Sequence, residues 1–330
     1  MFLDSMKELV KGNNQRIVFP EGEEERALRA AQYLHAEKYA NVILLGHKSK
    51  IERAAKDLNV DLSGVDVIEP SSSNNLDEYA DSYFELRKHK GITHEAAKTK
   101  IALPHYFGAM MVRKGHADGM VSGLNSETKP FIPAFEIIQL KKGFRRASSL
   151  FVLEWPERLL FFADCSVNID PDSATLADIA HATVQTVQSF GFEPRVGFLS
   201  FSTRDSAKSP LVDKIKEATK LAKQLCPDVI IDGEIQFDAA LLPDVAKKKA
   251  PDSPFVDKGA NIFIFPNLDC GNIAYKITER LGKAVATGPI LQGLNHPIND
   301  VSRGCSYEDF ANVGILTAAL ALMQNQTETN

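Results

Sequence analysis

The chain has 330 residues, 44% hydrophobic and 25% charged, with 38 Lys plus Arg against 43 Asp plus Glu and a formal net charge of -5. These values exclude a disordered or fibrous class, and the charge balance leaves no electrostatic footprint for nucleic acid. The length favours two domains or one large α/β unit.

Residues 1–15 carry Asp4 and Glu8 and lack the apolar core of a signal peptide, and no window reaches the length of a membrane span. A cytoplasmic location is therefore expected. Strand candidates follow in chain order: RIVFP (16–20), NVILLG (41–46), DGMVSG (118–123), SLFVLEW (149–155), LLFFADC (159–165), RVGFLSFS (195–202), DVIIDGEI (228–235), NIFIFP (261–266) and AVATGPIL (284–291). Between most of them lie stretches such as EEERALRAAQYLHA and SPLVDKIKEATKLAKQL, whose apolar residues return at three-to-four spacing. Such alternation predicts α/β architecture with a largely parallel sheet. Only Pro156-Glu157-Arg158 separates SLFVLEW from LLFFADC, which is too short for a parallel crossover and predicts a hairpin, so the sheet is mixed. The polar KKGFRRASS is the candidate linker, and a second crossing is expected near Gly293. The expected organisation is a discontinuous first domain, 1–145 plus 293–330, and a second domain, 146–292.

Cys165, Cys226, Cys270 and Cys305 form no C-x-x-C pair, so neither a metal site nor a disulfide framework is expected. There is no G-x-G-x-x-G, no P-loop pattern, no H-E-x-x-H and no G-x-S-x-G, which removes the standard cofactor, metallohydrolase and serine-hydrolase signals. Several strand candidates end in polar residues, among them Pro20-Glu21-Gly22 and Ser122-Gly123-Leu124-Asn125-Ser126. Open α/β sheets bind ligands beyond the carboxyl ends of their strands. Ser126 and Thr128 are accordingly substrate-binding candidates.

The stretch NHPINDVSRGCSYEDF (295–310) leads into the most apolar helical segment, FANVGILTAALALMQ. Ser306 with Asp309 matches a capping box. A buried helix N-terminus there would equally be an anion site, with Arg303 supplying a planar cation for phosphate and Gly304 admitting a ligand to the backbone. Capping and catalysis stand at parity for Asp309. In DCGNIAYK an Asp cap is expected, and Asn272, Tyr275 and Lys276 fall on neighbouring helical positions where packing and ligand contact explain them equally well.

The segments RIVFPEGEEERALRAA, YFGAMMVRKGHADGMVSG, LSFSTRDSAKSP, IDGEIQFDAA, KAPDSPFVDKGANIFIFPNLDCGNIAYK and GPILQGLNHPINDVSRGCSYEDF resemble the phosphate acetyltransferase (phosphotransacetylase) family. The resemblance spans nearly the whole chain. It implies two α/β/α domains akin to isocitrate and isopropylmalate dehydrogenases, an active site in the cleft between them, and a homodimer. It implies reversible conversion of acetyl-CoA and phosphate to acetyl phosphate and CoA, by direct transfer with no acyl-enzyme and no cofactor beyond these substrates. Carried across, the catalytic Asp falls on Asp309, the phosphate-binding Arg on Arg303, a helper Ser on Ser302, and a CoA-contacting Arg on Arg87. Ile132 stands where family members usually carry Arg, with Lys129, Arg145 and Arg146 as nearby cations, and Asp205 stands where Gly is more usual. The alternatives are a non-catalytic acyl-CoA-binding module, the same reaction with a longer acyl group, and a metal-dependent hydroxyacid dehydrogenase using Asp164, Asp232 and Asp238.

Overall fold

The computed structural model describes residues 2–125 and 131–328, in two compact units: residues 1–141 with 294–330, and residues 142–293. The boundaries expected from sequence were 145/146 and 292/293.

The first unit begins with α1 (Phe2–Val10), β1 (Arg16–Phe19), α2 (Glu25–Ala36), β2 (Asn41–Leu45), α3 (Lys48–Asp57) and β3 (Asp66–Ile68). It continues through α4 (Leu76–Arg87), α5 (His94–Ile101), α6 (Pro104–Arg113), β4 (Gly119–Ser122) and the short turn α7 (Phe131–Pro133), which runs into a π-helical turn at Ala134–Ile138. Val18, Phe19, Val42 and Leu44 are buried, which is the near-continuous apolar run of a parallel strand covered on both faces. Helix α2 starts where it does because the Glu24 carboxylate accepts the Arg26 N–H.

The second unit contains β5 (Ser148–Trp155), β6 (Arg158–Ala163), α8 (Ser173–Ser189), β7 (Arg195–Leu199), α9 (Pro210–Leu225) and β8 (Ile230–Ile235). Then come α10 (Phe237–Leu241), α11 (Pro243–Lys249), β9 (Ile262–Ile264), α12 (Leu268–Arg280) and β10 (Val285–Gln292). Its sheet runs β10-β5-β6-β9-β7-β8, and the β5/β6 hairpin and the β10/β5 pair are antiparallel while the rest is parallel. The mixed character therefore belongs to this unit. Helix α9 is capped by the Ser209 hydroxyl with Pro210 in its first turn. The cap of α12 is Asn267, whose side chain accepts the Cys270 N–H, and not the expected Asp269, which sits inside the first turn. The N-cap must be the extended residue before the first helical one, and Asn267 has that backbone.

The chain then returns to the first unit as β11 (Ile298–Asp300) and α13 (Tyr307–Glu328). The five strands of that sheet, β11-β4-β1-β2-β3, are all parallel. Helix α13 is buried all round over most of its length, with Phe310, Val313, Ile315 and Leu316 at most 1% exposed. Each such side chain contributes about 1.5–3 kcal/mol by burial. Phe310 packs on Phe19 with ring centroids 4.6 Å apart. The buried Asn299 amide donates to Thr317 Oγ1 (2.8 Å), tying β11 to α13 and fixing the turn between them.

Candidate functional site

Because the first unit's strands are parallel, their carboxyl ends share one rim, and the loops after β1, β2, β4 and β11 gather there. A cavity of about 390 Å³ opens on this rim, lined by Pro20, Glu21, Gly22, Gly46, Pro104 and Asn125 among others. The N–H groups of Gly123, Leu124 and Asn125 donate to the Glu21 carboxylate at 2.8, 2.8 and 2.9 Å. A row of three amides that would suit an external anion is thus filled from within the chain. Ser126 and Thr128 lie outside the described residues.

The turn after β11 is different. Cys305 N–H donates to Ser302 O (2.9 Å), closing a tight turn on which Ser302, Arg303 and Gly304 are all exposed. A Cβ placed on Gly304 would meet nothing within 4 Å, so the backbone there is open to approach. Ser306 N–H donates to Asp309 Oδ2 (3.0 Å), and Asp309 N–H donates to Ser306 Oγ (3.1 Å). The capping box is formed. The start of α13 was expected to be buried, yet Glu308 and Asp309 are exposed and burial begins only at Phe310. A polar first turn is solvated while the apolar turns that follow carry the core. Asp309 is oriented by its cap through Oδ2, and Oδ1 accepts no hydrogen bond among the described residues.

Beneath this turn, Asp300 is largely buried, and its Oδ1 has no hydrogen-bond partner among the described residues. Burial, together with the nearby charge of Glu21, pushes its carboxyl up to about 7. Gly123 is required here: its φ is +108°, and a Cβ would fall 1.9 Å from Asp300 Oδ1. The neighbouring Cys305 thiol is pushed up to about 11 by burial, with Asp309 and Glu24 adding to the shift and Arg26 opposing it.

Arg87 lies elsewhere in this unit and donates to Glu136 at 3.1 Å. Glu136 also accepts from Tyr83 (2.6 Å) and Lys100 (3.2 Å). Burial works to raise the Glu136 carboxyl, and these donors outweigh it and hold it below its usual range. Ile132 is 46% exposed. Of the cations expected near it, Arg145 pairs with Asp178 in the second unit (2.8 Å), and Lys129 lies outside the described residues.

In the second unit, Asp164 is 2% exposed and accepts from Ser149, Ser166, Val167 and Asn168. Asp232 is bonded by Arg204 (2.8 Å) and Ser253 (2.5 Å), and Asp238 by Lys249 (2.7 Å). The three aspartates of the dehydrogenase alternative are thus separately engaged, and no cluster of three His, Cys, Asp or Glu able to hold a metal occurs among the described residues. Asn272 donates to Cys165 O (3.0 Å), and Tyr275 is buried, stacked on Phe151 at 4.0 Å. Both have packing roles. Lys276 is exposed, with Nζ 5.7 Å from the Tyr275 ring centre.

Sequence reasoning placed Glu21 at a polar strand end without giving it a role, and missed Arg26 as a rim residue. Their only signal was the polar run PEGEEER directly after a strand.

The phosphate acetyl/butaryl transferase family model matches residues 1–318. A phosphate acetyltransferase of Bacillus subtilis is 46% identical over 319 residues, covering 96% of this chain and 98% of that one. The solved structure of a phosphotransacetylase from Streptococcus pyogenes superposes with a TM-score of 0.91 at 43% identity, covering 97% of this chain and 98% of that one. A putative 4-hydroxythreonine-4-phosphate dehydrogenase from Salmonella typhimurium, 11% identical with a TM-score of 0.58 over 93% of this chain and 99% of that one, shares the fold alone.

Proposed function

The chain belongs to the phosphate acetyl/butaryl transferase family and is an acyltransferase that moves an acetyl group between CoA and phosphate; on that premise we propose that Arg303 receives the phosphate and Asp309 moves the proton. The carrying observation is that Ser302 and Arg303 stand exposed on the turn that leads into α13, beside an open backbone at Gly304, and Asp309 stands exposed in the first turn of that helix.

In the direction of acetyl-CoA synthesis, Asp309 takes the proton of the CoA thiol and the sulfur attacks the acetyl carbonyl of acetyl phosphate. The carbon–oxygen bond breaks, and the electron pair leaves on a phosphate oxygen held by Arg303 and Ser302. In reverse, a phosphate oxygen attacks the thioester and the proton returns to sulfur. With reference values of roughly 8.5 for a thiol and 3.9 for an aspartic acid, unassisted transfer is uphill by about 6 kcal/mol. A guanidinium beside the sulfur and phosphate lowers that gap by favouring the thiolate and the leaving group together. Direct transfer is supported by the cysteines: burial pushes all four thiols up, so none is poised as an acyl acceptor. Arg87, Lys276, Ser126 and Thr128 are assigned to CoA or its phosphates, and Asn272 and Tyr275, on the same helix as Lys276, remain candidates for the same ligand.

CoA and phosphate enter as substrates. No described helix is long and apolar enough to cross a membrane, and the four free thiols fit a reducing cytoplasm. A homodimer is supported by an exposed stripe along α12 and its C-cap, where Ile273, Ile277 and Leu281 recur at four-residue spacing. Sedimentation of the parent against Ile277→Lys tests it: a lighter particle for the variant supports the stripe as the contact.

The deciding experiment is phosphate-dependent release of CoA from acetyl-CoA, with propionyl-CoA and butyryl-CoA in parallel. Turnover fastest with acetyl-CoA supports the reading. Binding of acetyl-CoA with no turnover at any phosphate concentration would leave a binding module instead.

A further inference from the structure

The Arg26 guanidinium is the hub of the first unit's rim. Its NH1 donates to Arg303 O (2.7 Å) and Cys305 O (3.1 Å), and its NH2 donates to Leu124 O (3.2 Å). Its Nε donates to Glu24 Oε1 (2.7 Å), while the other oxygen of that carboxylate, Oε2, accepts the Arg26 N–H and starts α2. One side chain therefore joins the loops that follow β1, β4 and β11. Two of its carbonyl partners flank Gly304 within the turn that carries Ser302 and Arg303. Burial alone would weaken the charge on Arg26, but Glu24 outweighs it and keeps the guanidinium firmly protonated.

Three backbone carbonyls and a carboxylate are an unusual partner set for a partly exposed arginine. Side chains of this kind generally meet one carboxylate or solvent, and such surface pairs contribute little. The NH1 nitrogen binds both carbonyls of the turn while NH2 and Nε of the same planar fork bind Leu124 O and Glu24, which fixes the orientation of the peptides at Arg303 and Cys305. The direction of each carbonyl sets that of the following N–H, here those of Gly304 and Ser306. The Gly304 N–H donates to Ser302 Oγ (3.4 Å), and the Ser306 N–H holds the Asp309 carboxylate. Lysine could supply the charge, but a single ammonium cannot reproduce the fork.

We infer that Arg26 is a positioning residue for the acyl-transfer reaction: it fixes the Ser302–Ser306 turn against the β4 loop, so that Ser302, whose hydroxyl accepts the Gly304 N–H, and Arg303 meet phosphate in one geometry. The inference rests on the assignment of phosphate to Arg303. It predicts that loosening the fork weakens phosphate capture more than acetyl-CoA capture, since the residues assigned to CoA lie outside this turn.

The test measures KM for phosphate, KM for acetyl-CoA, kcat and Tm for the parent, Arg26→Lys, Arg26→Ala with and without millimolar guanidinium, Glu24→Gln and Arg303→Lys. The expected result is a KM for phosphate raised about tenfold in Arg26→Lys, with KM for acetyl-CoA within twofold of the parent, and partial recovery of Arg26→Ala by guanidinium. Glu24→Gln keeps the helix cap but frees the Nε end of the fork, and a rise of two- to fourfold in KM for phosphate is expected. This variant keeps the inference open to refutation should both Arg26 variants fail to fold. Unchanged phosphate KM in Arg26→Lys and Glu24→Gln, alongside a raised value in Arg303→Lys, overturns the role of Arg26 alone. Unchanged phosphate KM in Arg303→Lys as well overturns the assignment on which it rests.

Discussion

The two units end their parallel strands in similar side chains, acids and hydroxyls, but those side chains are used differently. On the second unit's rim, Asp164, Asp232 and Glu234 are at most 4% exposed, and their oxygens accept from backbone, hydroxyl, amide or guanidinium donors. On the first unit's rim, Ser302, Arg303 and Asp309 are exposed, the backbone at Gly304 is open, and the largely buried Asp300 has no hydrogen-bond partner on Oδ1 among the described residues. A buried carboxylate surrounded by donors holds loops in place; removing it strands those donors. An exposed acid held by one cap hydrogen bond retains a free lone pair for chemistry. Saturation with partners therefore separates architecture from function better than residue type does.

The contrast can be broken at its strongest point first. Asp164→Ala removes the acceptor of six hydrogen bonds in the second unit, and a loss of at least about 4 kcal/mol is expected. Denaturant unfolding measures it, and a loss below about 1 kcal/mol would show that the hub is not structural. Asp300→Asn in the first unit should act in the opposite direction and only at higher pH. Burial raises the folded carboxyl to about 7 from an ordinary value of 3.8, so its stabilising protonated form is fully present below about 4 and is lost as pH rises through about 7. The variant is expected to be more stable than the parent by up to about 4 kcal/mol at pH 8, with the difference vanishing towards pH 4. A difference independent of pH would remove Asp300 as the titrating group. The finest comparison is between two cap hydroxyls. Ser209→Ala and Ser306→Ala should each cost about 1 kcal/mol, but only Ser306→Ala should also lower kcat, severalfold, because it loosens the turn that aims Asp309. Equal kcat values in both variants would erase the distinction between the units at these caps.

Much of this was legible in the sequence, for reasons that particular residues make plain. Apolar β-branched runs marked nine strands, and the three-residue connection Pro156-Glu157-Arg158 marked the hairpin. Strands β3 and β11 escaped because each has three residues and is set among polar neighbours; β11 owes its place to parallel pairing with β4 and to the Asn299–Thr317 bond. The S-x-x-D spacing gave the capping box, and the apolar helix after it gave the burial, but the point where burial begins is set by packing on Phe19. The Arg26 hub was illegible for a different reason: its partners at Arg303 and Cys305 are 277 and 279 residues away and are backbone atoms, which leave no trace in residue type. The same holds for Glu21, whose partners are the amides of the β4 loop.

The central claim, that the acid at the start of α13 moves the proton and does not merely cap a helix, is tested most directly by the turnover of Asp309→Asn. The amide oxygen can still accept the Ser306 N–H, so Tm should stay within about 2 °C of the parent, while loss of the base should lower kcat by about 10²- to 10⁴-fold. A kcat within a few-fold of the parent, with or without a fall in Tm, would contradict the account and leave Asp309 as a cap.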